Sequence, residues 1–424
     1  MTIVVKGGQL IDGDGVRDGV DLAIHDGVIA GVGADLDGDV VVDAGGCVVA
    51  PGLVDLHAHL RQPGLEEAET IESGSRAAAL GGFTAVVAMP NTTPAIDCAA
   101  VVREVQGLGR DALCDIEVSG AITVGRAGEQ LAPMAEMVEL GVRIFTDDGT
   151  GVQDPALMRR ALEYASGLGV RLAQHCEDSA LAGNGVMHEG AWSSRLGLPG
   201  QPAEAEELMV MRDIALARLT GCPVHFQHLS TRRSVAMVEV ARVEGLDVTA
   251  EACPHHFTLT HAELASYDPL FKVNPPLRTA DDVTAVIDGL RSGVVDAVAT
   301  DHAPHTPESK ERPLDEAPPG MLGLETALPL ALERLDLPLT DLLARMSWVP
   351  AGIGGIADRH GGPLREGRPA NVVVFDPTAR WTVDPDALAS RARNTPYAGR
   401  EVTGKVRHTI RNGELVVHDG EAQR

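Results

Sequence analysis

Lysine is scarce in this 424-residue chain: it occurs at Lys6, Lys272, Lys310 and Lys405 and nowhere else, and the other basic residues are arginines. Any chemistry that needs a lysine between residues 7 and 271 is therefore excluded. No apolar run approaches the ~20 residues of a membrane span. The N-terminal MTIVVKGGQLIDGDG lacks the basic region, apolar region and cleavage site of a signal peptide, so a cytoplasmic protein is expected. The six cysteines, Cys47, Cys98, Cys114, Cys176, Cys222 and Cys253, show no CxxC spacing, which suits reduced thiols better than a disulfide frame. Neither GxxxxGK[ST] nor a strand-linked GxGxxG appears, which removes the common nucleotide-binding folds. With a formal net charge of −26 the long-range field repels nucleic acid and anionic membranes. An anionic small molecule would have to be met by a locally placed cation.

What the chain does have is enough apolar residue, 44%, to bury a large core. Residues 2 to about 50 carry short β-branched runs separated by Gly and Asp, which read as small antiparallel strands. From Val48 the rhythm changes to apolar runs alternating with longer segments rich in Ala, Leu, Glu and Arg. Eight such runs can be counted: VVAPGLVDLHAH, FTAVVAMPN, CDIEVSGAI, VRIFTDD, VRLAQHCED, PVHFQHLS, DVTAEACPHH and VVDAVATDHAPH. Helical stretches are expected over 66–80, 154–167, 202–219 and 231–244. Eight parallel strands with crossover helices predict an α/β fold, a closed (β/α)8 TIM-like barrel. After about residue 362 strand-like runs return in ANVVVF and VRHTIRNGELVV. The expected organisation is thus a barrel over 51–361 and one small β-domain built from both termini, 1–50 and 362–424.

Most of the barrel runs end on a polar residue able to meet a metal or a substrate: His57 and His59, Asn91, Asp148, His175, His228 and Asp301. In a barrel of this kind the C-terminal strand ends converge on one face, so residues far apart in sequence become neighbours. His57 and His59, two apart on a strand, point to the same side and can grip one ion together. Imidazole and carboxylate donors with a position left for water describe a catalytic zinc site. Taken singly each residue has a plain structural role, and Asp301 could simply cap a turn. Their coincidence at the ends of different strands is what carries the reading.

The stretches PGLVDLHAHLRQPG, AMPNTTP, FTDDGTGVQ, QHCED, QHLST, FKVNPPLR and DHAPHTPESKE, followed by GMLGLET, occur in this order over residues 51 to about 326. Together they resemble the amidohydrolase superfamily and, within it, the type I (bacterial) dihydroorotases. The resemblance implies one or two zinc ions, two being favoured, with His57, His59 and Asp301 on one, His175 and His228 on the other, and Asp148 bridging. It implies that Arg61, Asn91 and His305 take a substrate carboxylate, and that Asn274 and the loop around Gly320 hold the ring amide groups. Relatives such as hydantoinases bridge their metals with a carboxylated lysine after the fourth strand. Here FTDDG stands there, so the bridge must be a carboxylate; the type I pattern favours Asp148 over Asp147, which the physics alone does not separate. The loop Ala317–Gly320 reads APPG where APFG is expected, and Pro319 has no N–H to donate, so only Gly320 could supply that contact. His255 and His256 match no ligand position and are read as structural.

From the residues themselves, Arg61 lies two beyond His59, and its planar fork suits a carboxylate. That is the local cation an acidic chain needs. The reaction the resemblance implies is reversible metal-dependent hydrolysis of (S)-dihydroorotate to N-carbamoyl-L-aspartate in pyrimidine biosynthesis, with Asp301 as the proton carrier. Two rivals are another cyclic amidase, allantoinase-like or hydantoinase-like, and a non-catalytic homologue serving aspartate carbamoyltransferase as a structural partner. The missing lysine argues against the first and the retained set of six donors against the second. Beyond a small-molecule substrate, aspartate carbamoyltransferase and a second copy of the chain are the candidate partners.

Overall fold

The computed structural model describes all 424 residues. Eight short strands form the barrel: β1 (Leu53–Ala58), β2 (Phe83–Ala88), β3 (Asp115–Val118), β4 (Ile144–Phe145), β5 (Arg171–Gln174), β6 (Val224–Phe226), β7 (Val248–Ala252) and β8 (Ala297–Val298). β1 to β3 pair in parallel, as do β4 to β8. Two parallel bridges, Gly120 to Phe145 and Ala58 to His302, join these sets and close the sheet on itself. A buried carboxylate reinforces the closure. Asp55 on β1 accepts from the Thr300 amide at 2.9 Å and from its hydroxyl at 2.6 Å, just past β8.

The strands are shorter than the apolar runs because the polar end of each run leaves the ladder. At His228 and Asp301 the backbone enters the left-handed region, with φ of 32° and 45°, which turns both side chains out of strand geometry. Such conformations cost about 1–3 kcal/mol each and cluster where a site imposes them.

Local signals set the helices. Helix α1 (Ile71–Leu80) begins five residues later than the sequence suggests, because Thr70 and Ser73 form a capping box and the Glu69 carboxylate is buried against the Ser73 and Ser390 hydroxyls. Helix α2 (Pro155–Leu168) has Asp154 at its N-cap, proline in its first turn and Gly169 at its C-terminus with φ of 68°. Helices α3 (Glu204–Thr220) and α4 (Arg232–Val243) follow β5 and β6. None of the helices is long and apolar enough to cross a membrane.

The two chain ends meet in one seven-stranded sheet. Val48–Pro51 pairs antiparallel with Val372–Thr382 and parallel with Gln9–Asp12. A four-stranded sheet built from residues 2–43 lies beside it. Between them sits a core of 15 residues that draws Ile3, Leu22 and Val49 from one end of the chain and Val372, Val374 and Ile410 from the other, while the 63-residue core of the barrel reaches the other face of the sheet through Val48, Val373 and Phe375.

Candidate active site

Of the eleven residues singled out from the sequence, ten line a single cavity of about 180 Å³: His59, Arg61, Asn91, Asp148, His175, His228, Asn274, Asp301, His305 and Gly320. His57 lies behind them, fully buried. Because parallel barrel strands all point their C-terminal ends the same way, residues separated by up to 263 positions meet on one face.

Hydrogen bonds on the far side of the imidazole rings settle which nitrogens face the centre. His57 Nδ1 lies 2.8 Å from Glu251 Oε1 and His59 Nδ1 2.8 Å from Asn91 Oδ1; both oxygens can only accept, so both Nδ1 atoms carry the proton. Each Nε2 is then turned inward. His57 Nε2 lies 3.3 Å from Asp148 Oδ1, and His59 Nε2 lies 3.0 Å from Asp301 Oδ1 and 3.5 Å from Asp148 Oδ2. His175 Nδ1 and His228 Nε2 stand 2.9 Å apart, each 3.6 Å from Asp148 Oδ1. Imidazole nitrogens and carboxylate oxygens thus converge on one point, each able to offer a lone pair to a cation. His57 Nε2 and Asp148 Oδ1 are buried without a hydrogen-bond partner.

Such an arrangement is stable only around positive charge. Burial opposes protonation of His57, yet Asp148, Glu251 and Asp301 outweigh it and hold its pKa well above the ordinary value. Burial likewise works to raise the Asp301 carboxyl, but the His59 hydrogen bond and the neighbouring imidazoles keep it below the usual carboxylate range. Donor atoms of His57, His59 and Asp301 lie within 4.8 Å of one another, as do those of His57, Asp148 and His228. This donor set fits divalent metal.

Asp147 and Asp148, indistinguishable by sequence physics, separate here. Asp147 accepts from the Ile122 and Thr123 amides at 2.8 and 3.0 Å and from the Thr123 hydroxyl, so it is spent on the loop after β3. Asp148 alone turns to the histidines.

On the opposite wall, Arg61 donates from Nε to the Pro304 carbonyl at 3.1 Å, which leaves both Nη groups without a protein partner. Burial lowers its guanidinium to about 10, so it stays charged at neutral pH. Asn91, having given its oxygen to His59, keeps its amide N–H groups for the cavity. His305 is pushed down to about 3 by burial and by the Arg61 and Lys310 cations, and this neutral ring donates from Nε2 to the Pro319 carbonyl at 2.8 Å. The structure corrects the reading of Gly320 as an amide donor: its N–H already donates to the Lys272 carbonyl at 2.9 Å. Gly320 is there because a side chain would collide with Ala303 and His305 at a φ of +134°.

Sequence reasoning missed Glu251. It sits on β7, fully buried, and bridges His57 and His225, whose Nε2 lies 3.0 Å from its second oxygen. These two imidazoles hold its carboxyl at about 2 although burial acts to raise it. The signal was present: a glutamate inside the apolar run VTAEA is too costly to bury unless something pairs with it. The nearby Cys253, His255 and His256 form a third buried group of donor atoms, with His256 Nε2 donating to the Pro275 carbonyl at 2.9 Å.

Residues 46–234 match the family model described as dihydro-orotase-like. The chain is 48% identical to a dihydroorotase of Pelotomaculum thermopropionicum, covering 99% of each sequence. It is 46% identical to one of Streptomyces coelicolor with the same coverage. The chain belongs to the dihydroorotase family. Among solved structures, the L-hydantoinase (dihydropyrimidinase) from Arthrobacter aurescens superposes with a TM-score of 0.89 at 26% identity, over 100% of this chain and 97% of that one. A D-hydantoinase at 23% identity, with a TM-score of 0.88, shares the fold. The chain is thus a metal-dependent cyclic amide hydrolase by family, with a small molecule as substrate.

Proposed function

We propose that this chain is a dihydroorotase of the bacterial type I group, which hydrolyses (S)-dihydroorotate to N-carbamoyl-L-aspartate and closes the ring in the reverse direction, towards UMP. The observation that carries the reading is the presence of Arg61, with both Nη groups unpaired, in the same 180 Å³ cavity as the His/Asp cluster. A buried guanidinium facing a cluster of metal donors suits a cyclic amide that bears a carboxylate. The curated relatives named dihydroorotase, at 42–48% identity over nearly the full length, support the same assignment.

His57, His59 and Asp301 would hold one zinc ion and His175 and His228 a second, with Asp148 shared. Bound there, the metal supplies a water acidic enough to ionise near neutral pH and an electrophile for the amide carbonyl. Arg61 grips the exocyclic carboxylate through two parallel N–H bonds, with Asn91 beside it. Asn274 and the wall of Pro318 to Gly320 close over the ring. Asp301, whose Oδ1 faces His59 and whose Oδ2 has no protein hydrogen bond, accepts a proton from the attacking water and delivers it to the ring nitrogen as the C–N bond breaks. The water oxygen remains on the carbonyl carbon in the new carboxylate, the second water proton is released as that acid ionises, and the ring nitrogen, which already bears one hydrogen, leaves as the NH2 of the carbamoyl group. In ring closure the same carboxylate carries the proton back.

The hydantoinase neighbours raise the alternative of a hydantoin-type ring. Such a ring carries no carboxylate and would leave Arg61 charged and unpaired in the cavity, which favours dihydroorotate. On this reading, the non-catalytic role beside aspartate carbamoyltransferase gives way to catalysis, because every donor is kept. Removing metal with a chelator should abolish dihydroorotate turnover and added zinc should restore it. Full turnover by protein shown to be metal-free overturns the proposal.

A further inference from the structure

Cys253, Pro254, His255 and His256 follow directly on β7, and none of the four lines the active-site cavity. A buried imidazole normally finds a partner for its ring nitrogens. Here two nitrogens are left without one: His255 Nε2 and His256 Nδ1 are buried and make no hydrogen bond. Both residues are 2% exposed, and the free thiol of Cys253 is 0% exposed, so bulk water does not supply the missing partners. His256 donates from Nε2 to the Pro275 carbonyl at 2.9 Å, which fixes its proton there and leaves Nδ1 with a bare lone pair. Its ring meets that of His255 edge-on, with centroids 4.3 Å apart. Burial pushes His256 down to about 3 and His255 well below its ordinary value. Both rings are therefore neutral, the form that ligates metal.

The thiol beside these nitrogens completes a donor set. The ligand atoms of the three residues lie within 4.8 Å of one another, and none of the three belongs to the two groups at the catalytic centre. Zinc bonds of ~2.0–2.3 Å put donors about 3.5 Å apart, so closing on an ion takes shifts of about 1 Å. Charge favours that closure. Burial, and after it the Asp301, Glu251 and Asp55 carboxylates, push the Cys253 thiol well above its ordinary range. Sulfur gives up its proton there only in exchange for a cation, which the same carboxylates attract. One sulfur with two imidazoles selects a borderline ion such as zinc over magnesium or calcium, which take oxygen donors.

We propose that Cys253, His255 and His256 form a further zinc site, distinct from the catalytic centre and structural in role. The thiol proton leaves as sulfur binds the ion, His256 ligates through Nδ1, and the fourth position of a tetrahedral ion falls to water. The ion pins the chain two residues beyond Glu251, the carboxylate that orients His57.

Full-length protein prepared with zinc should carry one ion per chain more than Cys253→Ser or His256→Gln prepared identically. X-ray absorption at the zinc edge should show sulfur at about 2.3 Å in the unsubstituted protein and none in Cys253→Ser. Cobalt(II) in place of zinc gives a second readout, a sulfur-to-metal charge-transfer band that Cys253→Ser lacks. The visible bands of the nitrogen- and oxygen-ligated catalytic centre should persist in both variants, which checks their folding. These readouts are metal content and spectra, so they stand whatever ring the catalytic centre opens. Unsubstituted protein with no sulfur around zinc and no charge-transfer band overturns the proposal without recourse to a variant. So does sulfur ligation that survives Cys253→Ser, or a metal content that His256→Gln leaves unchanged.

Discussion

Glu251 Oε1 lies 2.8 Å from Nδ1 of His57, and this contact from β7 to β1 fixes the tautomer that turns Nε2 of His57 to the metal donors. Glu251 itself reaches no ligand position; it acts through the imidazole. Outer partners of this kind are worth about 10- to 100-fold in metal affinity. Glu251→Gln should therefore lower metal retention by about that factor in a chelator competition, while Asp148 and Asp301 remain in place. Unchanged retention would show that the ring is held by packing alone.

Arg61→Lys replaces a planar fork by a point charge. A charge-assisted hydrogen bond is worth about 1.5–3 kcal/mol, so kcat/KM for dihydroorotate should fall about 10- to 150-fold, with the thermal midpoint little changed. Steady-state kinetics on dihydroorotate decides the point; unaltered kinetics would remove Arg61 from the carboxylate site.

Asp301→Asn keeps the size and one oxygen of the side chain but cannot carry a proton. With metal content verified, turnover should fall by about two to four orders of magnitude and dihydroorotate binding much less. Retained turnover would leave Asp301 as a ligand only.

Lys310 donates to the carbonyls of Pro269 and Pro318 at 3.0 and 2.9 Å and so ties the active-site wall down. Burial, helped by nearby Lys272, lowers its ammonium from 10.5 to about 7. Between those values the unfolded chain binds more protons than the folded one, so this group makes stability rise with pH, by up to about 1.4 kcal/mol per pH unit. In Lys310→Met that slope should vanish between pH 7 and 10, and KM should rise as Pro318 and Gly320 loosen. Urea unfolding at several pH values measures the slope, and a parent curve flat across the window contradicts it.

The eight strands and the polar residue closing each were legible because burial writes a strong signal: an apolar run that stops at His or Asp sets a costly polar group at the edge of a core, where it persists only if something pairs with it. Strand lengths were not, since His228 and Asp301 leave the ladder through left-handed backbone that no propensity predicts. Asp148 could not be told from Asp147 until the Ile122 and Thr123 amides were seen to occupy the latter. Glu251 was hidden for a related reason: its partners His57 and His225 lie 194 and 26 residues away, and no local pattern joins them. Gly320 reads as a donor in sequence because a free N–H and a bonded one look the same there; only the Lys272 carbonyl reveals that it is taken.

Substrate preference distinguishes a ring that bears a carboxylate from one that does not. Metal-loaded protein should be assayed side by side with dihydroorotate, hydantoin and allantoin under identical conditions. Dihydroorotate should be preferred in kcat/KM by at least about 100-fold, because only its carboxylate answers the buried Arg61. Hydantoin or allantoin turned over as well as or better than dihydroorotate would contradict the account.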